Sequence, residues 1–474
     1  MRLRIAATGC VCFCLLLASC TLGPNYKRPD VQVPTQYRSS GQVAVPADQK
    51  SLADVAWADL FHDRTITNLV QTAIHQSFDL QAAAERVLEA RSQYGIARSQ
   101  LAPHLDASAS FSAARTSTIG ALDGIVPAST NFTASYTQAG LDLAWEVDLW
   151  GRLRRLDQAA RAEYLAQADA RHAVVASLVA NVMATYLTLR ELDLELEIAI
   201  KNEDTAQRGL KITRLRKERG IATGLDIRQA EGFLYTATSQ IPATKRAIIE
   251  TENTLSILLG QNPASIPRGK PLLDLAVPPQ IPAGIPSALL ERRPDIVEAE
   301  QTLIAANAQI GAAKALFFPQ ISLTGLLGLQ SRQLTNLFTG NARQQDISLG
   351  TVLPIFNAGQ LRNNLRLTEA QKQEMVANYR KVIQMALAEV SNALTDVHEN
   401  RNQREQQELR VTALLDTARL AGLRYRGGLD SYLQVLDAER SAFSGEIALA
   451  QLRKNELLSL VELYRALGGG WQNI

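Results

Sequence analysis

The chain is written twice. Asp79, Gln93, Gly95 and Pro103 recur as Asp295, Gln309, Gly311 and Pro319, each pair 216 residues apart. Further along the offset becomes 208: Gly151 and Leu153 recur as Gly359 and Leu361, Gly220 as Gly428, Ala230-Glu231 as Ala438-Glu439, and Leu259-Gly260 as Leu467-Gly468. Internal self-similarity of this length restricts the fold to two copies of one supersecondary unit. The change of offset makes the second copy eight residues shorter between its Pro and its Gly, and insertions of that kind belong in surface loops. Between the copies, 261–286 carries Pro263, Pro267, Pro271, Pro278, Pro279, Pro282 and Pro286, a composition that reads as a linker.

Each copy passes through three textures. A stretch of short helices comes first, at 56–103 and 287–319. A stretch of period two follows at 104–150 and 320–358. A long helical hairpin comes last, at 151–260 and 359–468, broken near Gly220 and near Gly427-Gly428, and 469–474 remains as a tail. Val175, Val179, Val182, Tyr186 and Leu189 step by four and three, and Ile383, Leu387, Val390, Leu394 and Val397 keep the same steps. Apolar residues so spaced mark a coiled-coil seam. Runs of about 60 residues at 1.5 Å per residue make helices ~90–100 Å long, which is further than a compact domain reaches.

The period-two stretches alternate cleanly. Leu105, Ala107, Ala109, Phe111 and Ala113 interleave with Asp106, Ser108, Ser110 and Ser112, and Leu141, Leu143, Trp145, Val147 and Leu149 with Asp142, Glu146 and Asp148. Ile321, Leu323, Leu327 and Leu329, then Ile347, Leu349 and Val352, repeat the pattern. About 9–11 alternating residues suit a membrane-spanning strand, although a half-buried strand of a soluble sandwich looks alike. Two hairpins give four strands, too few for a barrel, since the smallest membrane barrels have about eight. Open edges are not tolerated in lipid. If these strands span, the chain must oligomerise, and three copies supply twelve.

The N-terminus reads as a targeting segment. Arg2 and Arg4 precede a short apolar run from Val11 to Ala18, and Leu17-Ala18-Ser19 stands directly before Cys20. That is the layout of a secretory signal of the bacterial lipoprotein kind, with 1–19 removed and a lipid on Cys20; an ordinary cleaved signal containing a cysteine is the alternative. The apolar run falls short of the ~20 residues a membrane helix needs. Thr21, rather than Asp, favours outer-membrane sorting, and the Pro-bearing 20–55 segment reads as extended. The four cysteines are Cys10, Cys12, Cys14 and Cys20, so the mature chain keeps one and has neither a disulfide framework nor a cysteine metal site. Lys+Arg number 49 and Asp+Glu 47; without Arg2 and Arg4 the charges balance, which argues against a nucleic-acid partner. No two histidines have metal-pair spacing, and no glycine loop fits a phosphate. Nothing points to an enzyme, and the lipid on Cys20 is the only expected prosthetic group.

The block Leu290-Glu291-Arg292-Arg293-Pro294-Asp295-Ile296, Ala305-Ala306-Asn307-Ala308-Gln309-Ile310-Gly311 and Phe317-Phe318-Pro319-Gln320-Ile321-Ser322-Leu323 closely resembles the TolC-like outer-membrane efflux family. The likeness is strongest to its lipoprotein branch, similar to OprM. Gly23-Pro24-Asn25-Tyr26-Lys27-Arg28-Pro29, Pro354-Ile355-Phe356-Asn357-Ala358-Gly359 and Tyr425-Arg426-Gly427-Gly428 carry the same likeness. The resemblance implies a mainly α fold with β: a trimeric α-barrel of long coiled-coil helices and a shared 12-stranded transmembrane β-barrel, four strands per chain. It implies a passive exit duct of a tripartite efflux pump for small molecules, anchored in the bacterial outer membrane and extending into the periplasm. The partners it implies are two further copies of the chain, a periplasmic adaptor, an inner-membrane resistance-nodulation-division transporter and outer-membrane lipid. The outlet of a type I protein secretion system and a non-conducting, periplasm-spanning structural lipoprotein are the alternatives.

In that branch the tip of the second hairpin carries a Leu and, four residues on, an Asp that ring the pore. The matching residues are Leu433 and Asp437, on one helix face. Threefold symmetry would make of them a hydrophobic ring and an acidic ring that favours cations. The first copy has Leu225 and Gln229 and lacks the charge. The plainer reading makes Asp437 a solvated residue of a helix's first turn and Leu433 ordinary packing. Arg219, Gly220, Arg426, Gly427 and Gly428 are the expected adaptor-docking tips. The nearby cluster Arg208, Lys211, Arg214, Arg216 and Lys217 is largely what a helix C-terminus attracts anyway.

Overall fold

The computed structural model describes residues 21–38, 51–117, 132–277 and 284–472; the signal segment and Cys20 lie outside them. Helices α1 (Arg64–Gln76) and α2 (Phe78–Ser99) lead into strands β1 (His104–Thr116) and β2 (Phe132–Val147), then into helix α3 (Arg152–Glu218) and its return α4 (Gly224–Leu258). A single helical turn at Leu289–Arg292 precedes α5 (Pro294–Ala315), β3 (Gln320–Ser331), β4 (Arg343–Val352), α6 (Gln360–Arg426) and α7 (Tyr432–Ala466). In three pairs of helices the duplication holds to the residue. Helices α2 and α5 have 22 residues each, α3 and α6 have 67, and α4 and α7 have 35.

Glycines set these lengths. Gly220 and Gly428 follow the long helices at φ +73° and +78°, and Gly260 and Gly468 follow the return helices at +70° and +82°. At each, the next residue donates its N–H five residues back: Ile221 to Arg216, Leu429 to Arg424, Gln261 to Ser256 and Gly469 to Tyr464. This is the Schellman cap, which needs a left-handed residue that glycine adopts without a Cβ penalty. Inside α4 the helix runs on through Pro242, a residue that costs a helix interior ~3 kcal/mol; Ala450 holds the equivalent place in α7.

The sheet has the order β1-β2-β3-β4, antiparallel throughout. Its register gathers the apolar residues on one face. Leu105 faces Leu143, Ala107 faces Leu141, Leu141 faces Leu327, Trp145 faces Leu323, Val147 faces Ile321, and Leu323 faces Leu349. The other face pairs Asp106 with Asp142, Glu146 with Ser322 and Thr324 with Ser348. The apolar face is open: Leu105, Phe111, Leu327, Ile347 and Leu349 are exposed, Ile347 by 84%. An uncovered apolar face of this extent marks a membrane or interaction surface. Strands β1 and β4 each have one pairing partner among the described residues.

The chain forms two compact units. The first comprises the N-terminal segment to Pro29, 87–167 and 299–378. It holds the sheet and the contact of Ala159 and Ala162 on α3 with Ala305 and Ala308 on α5. Leu22 N–H donates to the Trp150 carbonyl at 3.1 Å, and Arg155 Nε donates to the Leu22 carbonyl at 3.0 Å. Gly311 lies beneath this strand, where a Cβ would come within 2.6 Å of the Leu22 oxygen. Arg28 grips Glu300 through two bonds of 2.8 and 2.6 Å.

The second unit comprises 30–86, 168–298 and 379–474. In α3 the seam Val175, Val179, Val182, Tyr186 and Leu189 is buried as its spacing requires. In α6 the seam differs from the sequence expectation. Ile383, Val390 and Val397 are buried, but Ala386 and Ala393 take the positions between them, and Leu387 and Leu394 are only half-buried. Steps of three and four fit two adjacent stripes equally, and in α6 the stripe through the alanines faces the chain's own core.

Candidate functional site at the helix tips

The turns joining α3 to α4 and α6 to α7 share a frame and differ in chemistry. In the first, Thr223 and Asp226 form a capping box: the Thr223 hydroxyl accepts from the Asp226 N–H at 3.2 Å, and the Asp226 carboxylate accepts from the Thr223 N–H at 2.7 Å. Each satisfies a donor that the helix start leaves free. In the second, Ser431 makes no side-chain cap, and the turn is closed instead by Arg424, whose guanidinium donates to Asp430 at 2.6 and 3.2 Å.

Arg216 is the repeat equivalent of Arg424 and does something else. Its Nη1 donates to the Tyr425 carbonyl at 2.6 Å, and its guanidinium lies 4.3 Å from the centre of the Tyr425 ring. One arginine of the duplicated pair closes its own turn; the other ties the two hairpins together.

Behind the turns all four long helices meet in one apolar cluster. Ala206 and Leu210 come from α3, Ala230 and Phe233 from α4, Tyr425 from α6, and Tyr432, Val435 and Leu436 from α7. The Tyr425 and Tyr432 rings are 5.3 Å apart, and burial raises the Tyr432 hydroxyl well above the usual phenol range. Each large side chain so buried contributes roughly 1.5–3 kcal/mol.

Leu433 and Asp437 occupy the opposite stripe of α7. Both are exposed, Leu433 by 55%. The two residues singled out from the sequence therefore share one open face, one turn apart. Their equivalents on α4 are Leu225, exposed by 66%, and half-buried Gln229. Ile221 and Leu429, directly after the cap glycines, are exposed as well. This second duplicated apolar pair escaped the sequence reading, although its offset of 208 was there to be read.

Around Gly220 and Gly428 a Cβ would meet nothing within 4 Å, so the turn backbone is open. Arg219 and Arg426 are exposed, and Arg426 donates to the Gly422 carbonyl at 3.2 Å. The basic cluster is partly neutralised: Arg208 pairs with Asp204, Arg214 donates to Glu231 at 3.0 Å, and Arg216 is engaged with Tyr425. Among the described residues no group of three His, Asp or Glu side chains could hold a metal ion.

The sequence profile of the outer membrane efflux protein family matches residues 69–261 and 285–469, once in each repeat. TtgC of Pseudomonas putida, a probable efflux pump outer membrane protein, is 37% identical over 460 residues, covering 96% of this chain and 94% of that protein. SilC of Salmonella typhimurium, a probable outer membrane lipoprotein, is 33% identical over 458 residues, covering 96% of this chain and 97% of that protein. Among solved structures, the open-state MtrE outer membrane channel of Neisseria gonorrhoeae matches with a TM-score of 0.84 at 30% identity, covering 95% of this chain and 99% of that one.

Proposed function

This chain belongs to the outer membrane efflux protein family, and we propose that it is an exit duct gated at its periplasmic helix tips by Leu433 and Asp437. The family is one of outer-membrane channels serving efflux pumps, trimeric in build, with the strands in the outer membrane and the helices reaching into the periplasm. On this reading the chain conducts and catalyses nothing.

One observation carries the conduit reading above the others: a four-stranded sheet with its apolar residues in register on an uncovered face and, among the described residues, one unpaired edge on each of β1 and β4. Lipid supplies the cover for the face but cannot pair the edges. Further copies must do that, β4 of one against β1 of the next. The duplication supplies the register. Shifting β1 by 216 and β2 by 208 turns the His104–Ala144 pair into Gln320–Val352, which is the pair observed between β3 and β4. The same shifts applied to the Leu141–Leu327 and Ala139–Leu329 pairs place Leu349 opposite Phe111 of the next copy, and Ile347 opposite its Ala113. Leu387 and Leu394, half-buried in one chain, are apolar surface left for the neighbouring copy.

At the tip, three copies bring three Leu433 side chains and three Asp437 carboxylates around one axis. A leucine ring can hold a constriction dry, and three close carboxylates repel anions. Arg219, Gly220, Arg426, Gly427 and Gly428, with Ile221, Leu225 and Leu429 beside them, form the docking surface for a periplasmic adaptor, which links the duct to an inner-membrane resistance-nodulation-division transporter. Thr21 packs against Gly151, where a Cβ would come within 2.9 Å of it. A lipid on the preceding Cys20 would then leave the chain beside the end of β2, at the rim of the barrel.

The test is reconstitution of the full chain in planar lipid bilayers. Discrete single-channel currents are expected. Correct insertion without current would overturn the conduit reading and favour a structural lipoprotein.

A further inference from the structure

The repeats diverge at one carboxylate behind the tip. On α4, Glu231 accepts from Arg214 Nη2 at 3.0 Å and from Arg228 Nη1 at 2.7 Å. Those two bonds hold its carboxyl below the usual range. Its equivalent on α7 is Glu439, and both arginines are missing there: Gly422 stands where Arg214 does, and Leu436 where Arg228 does. The position is kept and these two cations are gone.

Glu439 continues the buried stripe of α7 that runs through Tyr432, Val435 and Leu436, the face opposite Leu433 and Asp437. Its Oε2 is buried and has no hydrogen-bond partner among the described residues. The ionisable groups around it are few. From α3 comes Arg208, already paired with Asp204. On α7 are Tyr432, whose hydroxyl is raised by burial and then by Glu439, and Arg440, which lies over the Phe233 ring of α4. Asp226 of α4 and Tyr425 of α6 act on the Tyr432 hydroxyl.

We propose that Glu439 is a proton site that couples closure of the helix tips to pH. With the proton on, the carboxyl packs as a neutral group behind the gate. With it off, an unpaired anion sits against the apolar cluster that holds α7 to α3 and α4, and the tip loosens. This rests on the reading of α7 as the gate helix.

The direction follows from linkage. Burial, opposed by Arg208, pushes the Glu439 carboxyl up to about 7. A carboxyl whose pKa is raised in the packed state stabilises that state at low pH, fully below the ordinary glutamate range, and the stabilisation is lost as pH rises through about 7. Between pH 6 and pH 8 the open-to-closed ratio should therefore rise about tenfold per protomer.

The experiment measures open probability in planar bilayers at pH 6 and pH 8 for the native chain, Glu439→Gln, Gly422→Arg and Leu433→Ser. Gly422→Arg restores the cation of the first repeat, and a Cβ there meets nothing within 4 Å. The open-to-closed ratio of the native channel should be at least about tenfold higher at pH 8, and Glu439→Gln and Gly422→Arg should both be insensitive to pH. A pH response that is absent from the native channel, or that survives in Glu439→Gln, overturns the proposal. Leu433→Ser separates the two readings. If it leaves the current unchanged, the gate assignment fails and the proton site with it; if it raises the current while Glu439→Gln keeps the pH response, only the proton site fails.

Discussion

Arg216 on the first hairpin holds Tyr425 on the second twice over, by a 2.6 Å hydrogen bond to its carbonyl and by a guanidinium 4.3 Å from its ring centre. The tyrosine ring in turn packs on Tyr432, at the root of the helix that carries Leu433 and Asp437. Through Tyr425 the Arg216 side chain of the first hairpin thus reaches the root of the proposed gate helix, in addition to the apolar cluster that joins α7 to α3 and α4.

Removing that side chain should loosen the tip. A cation–π contact and a charged hydrogen bond together are worth about 2 kcal/mol at a partly exposed site. Arg216→Ala should raise the open-to-closed ratio in bilayers by about thirtyfold per protomer. Arg216→Lys, which keeps the charge but loses the planar fork, should fall between the two. A mutant no more open than the native channel would leave Arg216 a packing residue.

The barrel seam can be tested by chemistry. With Cys20 replaced, a chain carrying Phe111→Cys and Leu349→Cys should form disulfide-linked trimers under mild oxidation, because the proposed register sets the two positions opposite each other across adjacent copies. Shifting one cysteine by a residue, to Ser348, should abolish the crosslink, since neighbouring residues on a strand point to opposite faces. Equal crosslinking of both pairs would contradict the register.

On the proposed reading, cation preference would have two sources, which mutation should separate. Asp437 lies at the tip, and Asp106, Asp142 and Asp346 fall in one row across the polar face of the sheet, with Leu326 between the last two. Asp437→Ala and Asp142→Asn should each lower the ratio of cation to anion permeability, measured as reversal potential in a salt gradient. Only the first should change flickering, because of these residues only Asp437 belongs to the proposed gate. A full loss of selectivity from Asp142→Asn alone would place the filter in the barrel.

The tip caps make a stability prediction. Gly428 has φ +78° and open space around it, so Gly428→Ala suffers from backbone strain alone, about 1–2 kcal/mol. Gly427→Ala, where φ is not positive and a Cβ makes ordinary contacts of 3.5 Å or more, should be neutral or slightly stabilising. Thermal unfolding in detergent distinguishes them, and equal melting points would mean that the Schellman turn is not what ends the helix.

Much of this was legible before any coordinates. The offsets of 216 and 208 located the two helical hairpins because duplicated glycines end duplicated helices. Strand periodicity found the lipid face because alternation survives in any register. In α6 the chain's own core takes Ala386 and Ala393 rather than Leu387 and Leu394, since heptad spacing alone does not say which side has a neighbour. The face shared by Leu433 and Asp437 followed from their spacing. Arg216 and Glu439 did not stand out. The role of Arg216 depends on which hairpin it crosses to, which no local pattern encodes. That of Glu439 depends on arginines that are absent, visible only when Gly422 and Leu436 are set against Arg214 and Arg228.

The most direct test of a duct closed at its helix tips is the single-channel current of Leu433→Ser beside that of the native chain at fixed pH and salt. A larger and steadier current from the mutant is expected, because a hydroxyl would wet the constriction that the proposed leucine ring keeps dry. Identical currents from two well-inserted proteins would contradict the claim and move the gate away from α7.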